Sequence, residues 1–240
     1  MTSRTTARRP LAAERLPPLR IKLPVPYYSQ KFDFTCGPAA LMMALKYFDP
    51  SWELNRSLEL QLWRESTVIF MTSGIGGCGP EGIAAAGAAR GLTVRVVLKR
   101  KDTPVVASVR QPKKRAVIRQ CHKELMSRAA RLGVEFQCAD FDLREVEAVL
   151  THGGLAIVLV SLYRLRGTKE PHWVLVTGFS RKYIYVHDPY HEEGEHPLAG
   201  RHLAIERAEF RRMKRYGTDV QKSMVIVAPK WLDQFLDHLA

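Results

Sequence analysis

The chain has 240 residues, of which 46% are hydrophobic and 25% charged, and its formal net charge is +13 at pH 7. This length allows one large domain with a buried core, and the composition is that of an ordinary globular protein. The longest apolar run, residues 155–162, has the length of a buried strand and is too short to cross a bilayer. We therefore expect no membrane segment.

The N-terminus is rich in arginine. Residues 1–20 contain five arginines and one acid, Glu14, and they lack the apolar stretch of a secretory signal. An Arg-rich start with few acids also resembles an organellar transit peptide, but Pro17 and Pro18 interrupt any amphipathic helix. We expect a disordered basic tail over residues 1–20.

The first half of the chain favours helices. A Pro-punctuated extended segment runs from Ile21 to Gln30, and a glycine-rich loop over residues 74–79 precedes Pro80, which suits a first helical turn. Helices are predicted over 35–48, 54–65, 80–91 and 113–131, and strands over 93–98 and 134–137.

The last third of the chain favours strands. Asp142 and Glu145 have the chemistry of a capping box and predict a helix that ends near Thr151. Apolar and β-branched runs then predict strands over 155–162, 173–179, 183–187 and 224–227, with a short basic helix over 207–215. The pattern predicts an α+β domain over residues 21–232, with an N-terminal helical part packed on a mostly antiparallel sheet.

The positive charge is concentrated between Arg95 and Arg131, where twelve Lys or Arg side chains face only Asp102 and Glu124. We predict a basic helical insertion at about 95–132. Such a segment favours an acidic partner, although a solvated helix without a dedicated partner fits equally well. No aromatic side chain is interleaved for base stacking, which argues against nucleic acid.

Cys36 is the best candidate for a nucleophile. A thiol reacts as its thiolate, which a helix N-terminus and a neighbouring imidazolium favour. Cys36 is followed by Gly37 and Pro38 and then by an apolar run, so it should begin a buried helix. Gln30, six residues upstream, has a side-chain amide that can donate to an oxyanion.

His172 and Asp188 are the candidates for a base and its orienting acid. His172 begins one predicted strand and Asp188 closes the next. If the two strands form a hairpin that turns near Ser180, paired residue numbers add to about 360, and His172 lies opposite Asp188 with Cβ atoms roughly 5 Å apart. This is the base-and-orienter geometry of a catalytic triad. The neighbouring His187 should point to the opposite face.

Other reactive side chains have weaker claims. Cys78 also precedes Gly-Pro, but Thr72 stands where an upstream glutamine would be needed. The four cysteines, Cys36, Cys78, Cys121 and Cys138, form no CxxC pair, so we expect neither a disulfide scaffold nor a zinc knuckle, and a reducing, cytoplasmic location. The His- and Glu-rich residues 187–202 show no ordered ligand spacing, and we expect neither a metal nor a cofactor. Trp173 fits either a shield over His172 or a core position.

Three segments carry a family resemblance: Tyr28-Ser29-Gln30 through Thr35-Cys36-Gly37-Pro38-Ala39-Ala40-Leu41, then Pro171-His172-Trp173-Val174-Leu175-Val176-Thr177-Gly178-Phe179, then Val186-His187-Asp188-Pro189. They resemble the C39 and C39-like peptidases, papain-superfamily enzymes best known for cutting leader peptides after a Gly-Gly pair. The resemblance implies a papain-like fold. It also implies Gln30 as the oxyanion-hole glutamine, Cys36 as nucleophile, His172 as base and Asp188 as the third member.

The chain also departs from that family. Members that mature exported peptides are commonly fused to a transporter, whereas we expect no membrane segment in this chain. The predicted basic insertion is a second departure, because the core motif of the family does not require it. We therefore predict a cysteine peptidase acting on a peptide or protein substrate, with an acidic polypeptide as one candidate. Two alternatives stay open: a catalytically silent C39-like module that binds an acidic partner, and a peptidyl or acyl transferase.

Overall fold

A computed structural model describes residues 20–68, 76–99, 111–168, 170–215 and 221–232. Within these residues the helices are α1 (Cys36–Phe48), α2 (Arg56–Ser66), α3 (Pro80–Ala88), α4 (Pro112–Arg131), α5 (Leu143–Thr151), α6 (Tyr163–Arg166) and α7 (Arg207–Met213). The strands are β1 (Arg20–Lys22), β2 (Leu92–Leu98), β3 (Glu135–Cys138), β4 (Leu155–Ser161), β5 (Pro171–Ser180), β6 (Tyr183–His187), β7 (Leu203–Glu206) and β8 (Ser223–Pro229).

The strands form one mixed sheet in the order β3-β2-β8-β4-β5-β6-β7, and β1 pairs with the end of β5. The β2–β3 pair is parallel, and the other pairs between described strands are antiparallel. The predicted α+β class, with helices packed on a mostly antiparallel sheet, is confirmed. No helix in the described parts of the chain is both long and apolar enough to cross a membrane.

The sheet is buried on both faces, and the side chains of each strand alternate between two apolar clusters. Leu155, Ile157 and Leu159 of β4 pack with α1, α2 and α3. Ala156, Val158 and Val160 pack on the other side with α5 and α7. Burial on both faces explains why residues 155–162 read as a continuous apolar run.

Helix α1 is the central helix of the first cluster, and its residues from Cys36 to Leu45 are buried. The Ala and Met side chains of this stretch have high helix propensity, and Pro38 lies in the first turn, where a missing N–H costs little. The helix ends before Pro50, as predicted.

The β5–β6 hairpin forms in a different register from the predicted one. Leu175 pairs with His187 and Val176 with Val186, so paired numbers add to 362 rather than 360, and the register shifts again between Val176 and Gly178. The prediction that His172 lies directly opposite Asp188 is therefore wrong. A shift of two residues keeps both side chains on the same face, because side chains alternate with a period of two.

Two short strands and one short helix were absent from the sequence prediction. Arg20–Lys22 pairs with Ser180–Gly178, Leu203–Glu206 pairs with β6, and α6 follows β4. Close approach of β1 requires glycine at position 178, since a Cβ there would lie 2.4 Å from the carbonyl oxygen of Ile21. Segments of three or four residues are too short to show a clear periodicity.

The predicted basic insertion divides into three parts. Arg95–Leu98 belong to β2, residues 112–131 form α4, and residues 100–110 lie outside the described residues. Of the α4 residues, Ile118 and Ala129 are buried. Residues 1–19 of the predicted basic tail also lie outside the described residues.

Candidate active site

Cys36 is the first residue of α1 and is 6% exposed. Thr35 precedes the helix, and the first intrahelical bond runs from the Ala39 N–H to the Thr35 carbonyl. The backbone N–H groups of a first helical turn have no partners inside the helix and give its N-terminus a partial positive charge. The thiol therefore lies where a negative charge is stabilised.

His172 and Asp188 lie together beside Cys36. The His172 Nε2 atom donates to Asp188 Oδ1 at 2.7 Å, and both side chains are almost fully buried. Burial alone would lower the pKa of His172. The charges of Cys36 and Asp188 and the hydrogen bonds to both outweigh burial and raise that pKa to about 10. With that pKa the imidazole is protonated at neutral pH, and its positive charge lies between the sulfur of Cys36 and the carboxylate of Asp188.

Gln30 is buried on the approach to α1. Its Nε2 atom donates to the Phe32 carbonyl at 2.8 Å, and its backbone N–H donates to the Pro189 carbonyl at 2.8 Å. The second bond joins the Gln30 segment to the residue that follows Asp188. The Gln30 Oε1 atom is buried without a hydrogen-bond partner among the described residues.

Glu59 of α2 holds the segment that leads to Cys36, a role that sequence reasoning missed. This fully buried carboxylate accepts from the Tyr28 hydroxyl and the Lys31 N–H, both at 2.8 Å, and from the Thr35 hydroxyl. Three donors satisfy a charge that would otherwise be costly to bury. The signal available in the sequence was the position of Glu59, an acid on the side of α2 that is buried.

The other reactive candidates lie outside this group. Burial, followed by the charges of Cys36 and Glu81, raises the pKa of Cys78 well above its ordinary value. His187 donates to the Val25 carbonyl at 2.9 Å and accepts from the His202 N–H at 3.0 Å, and its pKa falls to about 4 because it is buried. Both are therefore neutral at pH 7. Trp173 belongs to the core cluster around α1 and donates to the Cys78 carbonyl, so it takes the core position.

A cavity of about 290 Å³ opens beside the thiol and the imidazole. Its wall carries the exposed carboxylates Asp33, Glu170 and Glu192 and the guanidinium of Arg166. This lining is acidic although the whole chain is strongly basic. No group of three His, Cys, Asp or Glu side chains that could hold a metal occurs in the described part of the chain.

The comparisons with known proteins agree with this fold. One solved structure, described as a C39-like peptidase from Bacillus anthracis, has a TM-score of 0.50 at 11% sequence identity and covers 87% of this chain and 98% of its own. A double glycine motif protease from an AMS/PCAT transporter, solved in complex with the leader peptide, covers 87% of this chain and 94% of its own at 18% identity. Its TM-score of 0.44 is too low to carry an argument.

No curated protein matches the chain significantly. The model of the Peptidase_C39 like family matches residues 25–228, a range that includes α1, the whole β5–β6 hairpin and the cleft between them. The likeness to the Bacillus anthracis structure concerns the fold alone, which is papain-like. On the strength of the family match, this chain belongs to the Peptidase_C39 like family.

Proposed function

We propose that this protein is a cysteine peptidase in which Cys36, His172 and Asp188 form a catalytic triad and Gln30 helps to hold the oxyanion. The observation that carries the proposal is the 2.7 Å bond from His172 Nε2 to Asp188 Oδ1, beside a thiol at the N-terminus of a buried helix. A bond at Nε2 leaves the Nδ1 atom of the ring for the thiol. No cofactor is needed for this reaction.

In the proposed reaction, the Cys36 thiolate attacks a peptide carbonyl, and the carbonyl π electrons move to the oxygen. The backbone N–H of Cys36 and the second N–H of the Gln30 amide donate to this oxyanion. The His172 imidazolium gives its proton to the leaving amine as the C–N bond breaks, which leaves a thioester on Cys36. His172 then takes a proton from water, and the resulting hydroxide attacks the thioester, which releases the acid and restores the Cys36 thiolate beside the His172 imidazolium.

Charge on the molecule narrows the choice of substrate. Asp33, Glu170 and Glu192 line the cleft and would repel an acidic segment placed next to Cys36. The exposed cations Lys113, Arg119 and Lys123 lie on α4, which packs on α3 through the 2.8 Å pair of His122 and Glu81. We therefore place an acidic stretch of a substrate or partner on α4, and a neutral or basic stretch at the bond that is cut.

Alkylation of Cys36 tests the nucleophile without a known substrate. At neutral pH, Cys36 should react with iodoacetamide at least ten times faster than the exposed Cys138, as measured by mass spectrometry of the cysteine peptides. Cys78→Ala, which removes a neutral thiol, is the matched control and should keep the fast phase. A Cys36 that reacts no faster than Cys138 would favour a silent binding module.

Turnover is tested separately with a mixed peptide library and mass-spectrometric detection of new termini. Wild type and Cys78→Ala should produce the same new termini, and Cys36→Ala should produce none. Added amines that divert the thioester into new amides, at the expense of free acids, would identify a transferase instead of a hydrolase.

A further inference from the structure

Arg166 lies behind Asp188 and pairs with two further acids near the cleft, Glu192 and Glu195. It ends α6, and its side chain is only 14% exposed. Its Nη1 atom lies 3.0 Å from Glu195 Oε1 and 3.3 Å from Glu192 Oε1. Its guanidinium carbon lies 5.0 Å from the ring centroid of Tyr190, at cation–π distance.

The carboxylate of Asp188 is only partly satisfied by hydrogen bonds. Its Oδ1 atom accepts from His172 Nε2 at 2.7 Å and from the Tyr190 N–H at 3.0 Å. Its Oδ2 atom is buried and has no hydrogen-bond partner among the described residues. Arg166 Nη2, at 4.0 Å, supplies the cation that faces this oxygen. A buried carboxylate requires such a countercharge to stay ionised in place.

Arg166 also fixes the backbone that orients Asp188. Its Nη2 atom donates to the Tyr190 carbonyl at 3.3 Å, and the N–H of the same residue donates to Asp188 Oδ1. Burial lowers the pKa of Arg166, but the hydrogen bond to Glu195 and the charge of Asp188 outweigh burial, so the pKa is raised overall. The guanidinium is therefore a permanent cation that ties α6 to residues 188–195.

We propose that Arg166 is a positioning residue of the Cys36 centre, which holds Asp188 against His172 through the carboxylate and through the Tyr190 backbone. The inference rests on the proposed function. Without the guanidinium, the carboxylate loses the cation that faces its Oδ2 atom and also loses its backbone support. It then turns toward solvent, and the imidazolium loses its anion. Among the described residues, the titratable groups that face His172 are Cys36, Asp188 and Tyr190, whose ring centroid lies 6.3 Å from that of His172. Arg166 acts on His172 through Asp188.

The test measures the protonation of His172 through Cys36. An imidazolium attracts iodoacetate, an anion, but not neutral iodoacetamide, so the ratio of the two alkylation rates falls as His172 loses its proton. In wild type this fall should be centred near pH 10, the pKa to which the neighbours of His172 raise it. In Arg166→Met the midpoint should lie at least one pH unit lower. Arg164→Met, on the same helix but paired with Glu209 and 47% exposed, is the matched control and should keep the wild-type midpoint.

A double variant separates positioning from general stabilisation. If Arg166 acts through Asp188, the Arg166→Met, Asp188→Asn protein should show the same midpoint as Asp188→Asn alone. Arg166→Lys keeps a cation but cannot reach Tyr190, Glu192 and Glu195 together, and its midpoint should lie about half a unit below wild type. This variant supplies the readout if Arg166→Met does not fold.

The outcomes are distinguishable. A folded Arg166→Met with the wild-type midpoint, a folded Arg166→Lys with the wild-type midpoint, or a double variant with a clearly lower midpoint than Asp188→Asn would overturn the inference. In wild type, the ratio of the iodoacetate rate to the iodoacetamide rate should be higher at Cys36 than at Cys138. A ratio at Cys36 that is no higher at any pH would contradict the proposed function itself.

Discussion

The cleft wall and α4 both carry many charges, but they hold them in opposite ways. Behind Cys36, the side chains of His172, Asp188 and Arg166 are largely buried, and each faces a group of opposite charge. On α4, Lys113, Arg119 and Lys123 are exposed and make no ion pair within the described residues. Buried charges interact strongly over short distances, whereas exposed charges act weakly and are screened by salt.

This difference predicts two kinds of effect for substitutions in the two regions. A change behind Cys36 should alter the chemical step itself and respond little to salt. A substitution on α4 should alter association alone, and its effect should disappear at high salt. The net charge of +13 therefore says little about the cleft, whose lining is acidic.

The largest effect is expected for the triad. Cys36→Ala and His172→Ala should each lower kcat by roughly 10⁶-fold, and Asp188→Asn by roughly 10⁴-fold, because the orienting acid is the most dispensable member of such a unit. All three proteins should keep the wild-type circular dichroism spectrum. The activity losses of residues that act as one unit do not add. A double Cys36→Ala, His172→Ala variant with much lower activity than either single variant would therefore contradict a shared mechanism.

The next effect concerns a buried carboxylate beside the nucleophile. Glu59→Gln keeps the shape of the side chain but replaces one accepting oxygen with a donating NH₂ group. That group would face the side chains and backbone that now donate to Glu59, from Tyr28, Lys31 and Thr35. Unfolding in denaturant should show a loss of about 1–3 kcal/mol, with lower kcat. The control on α4 is Glu124→Gln, an exposed acid bonded by Gln120, which should change stability by less than about 0.5 kcal/mol. Equal losses at the two positions would remove the contrast between the regions.

A smaller effect is expected on α4. Reversal of Lys113, Arg119 and Lys123 to Glu should lower kcat/KM on an acidic-tailed peptide by about tenfold at low salt, mainly through KM. The loss should vanish near 1 M salt, where the screening length is about 3 Å. Reversal of Arg144, Arg181 and Arg211, which are exposed and lie outside α4, changes the net charge equally and should have little effect. Similar losses in both variants would mean that overall charge, not α4, is responsible.

The smallest effect concerns His202, next to His187. Burial lowers the pKa of both rings to about 4, so the folded protein binds fewer protons than the unfolded chain between pH 4 and the ordinary value of 6.5. Their contribution to stability is present above pH 6.5 and is lost as the pH falls toward 4. His202→Asn, which suits the φ of 49° at this position, should weaken that acid loss in thermal unfolding. The exposed His196→Asn should leave it unchanged, and an acid loss that is equal in all three proteins would rule out His202 as a source.

Local chemistry predicted most elements from the sequence. Pro38 and the apolar run after it predicted α1, and Asp142 with Glu145 formed the expected capping box at α5. The type and order of Gln30, Cys36, His172 and Asp188 were visible in the chain. The strand that carries His172 and the strand that ends just before Asp188 were predicted within two residues. Their catalytic roles remain a prediction.

What only the tertiary structure decided depends on contacts between distant residues. The bulge at Thr177 sets the β5–β6 register, and β1 and β7 exist because longer strands pair with them. The carboxylate of Glu59 meets three donors from another segment, and Arg166 meets Asp188 across 22 positions. Such pairs leave no periodic trace in a sequence, because the energy of a buried charge depends on which partners the fold brings to it.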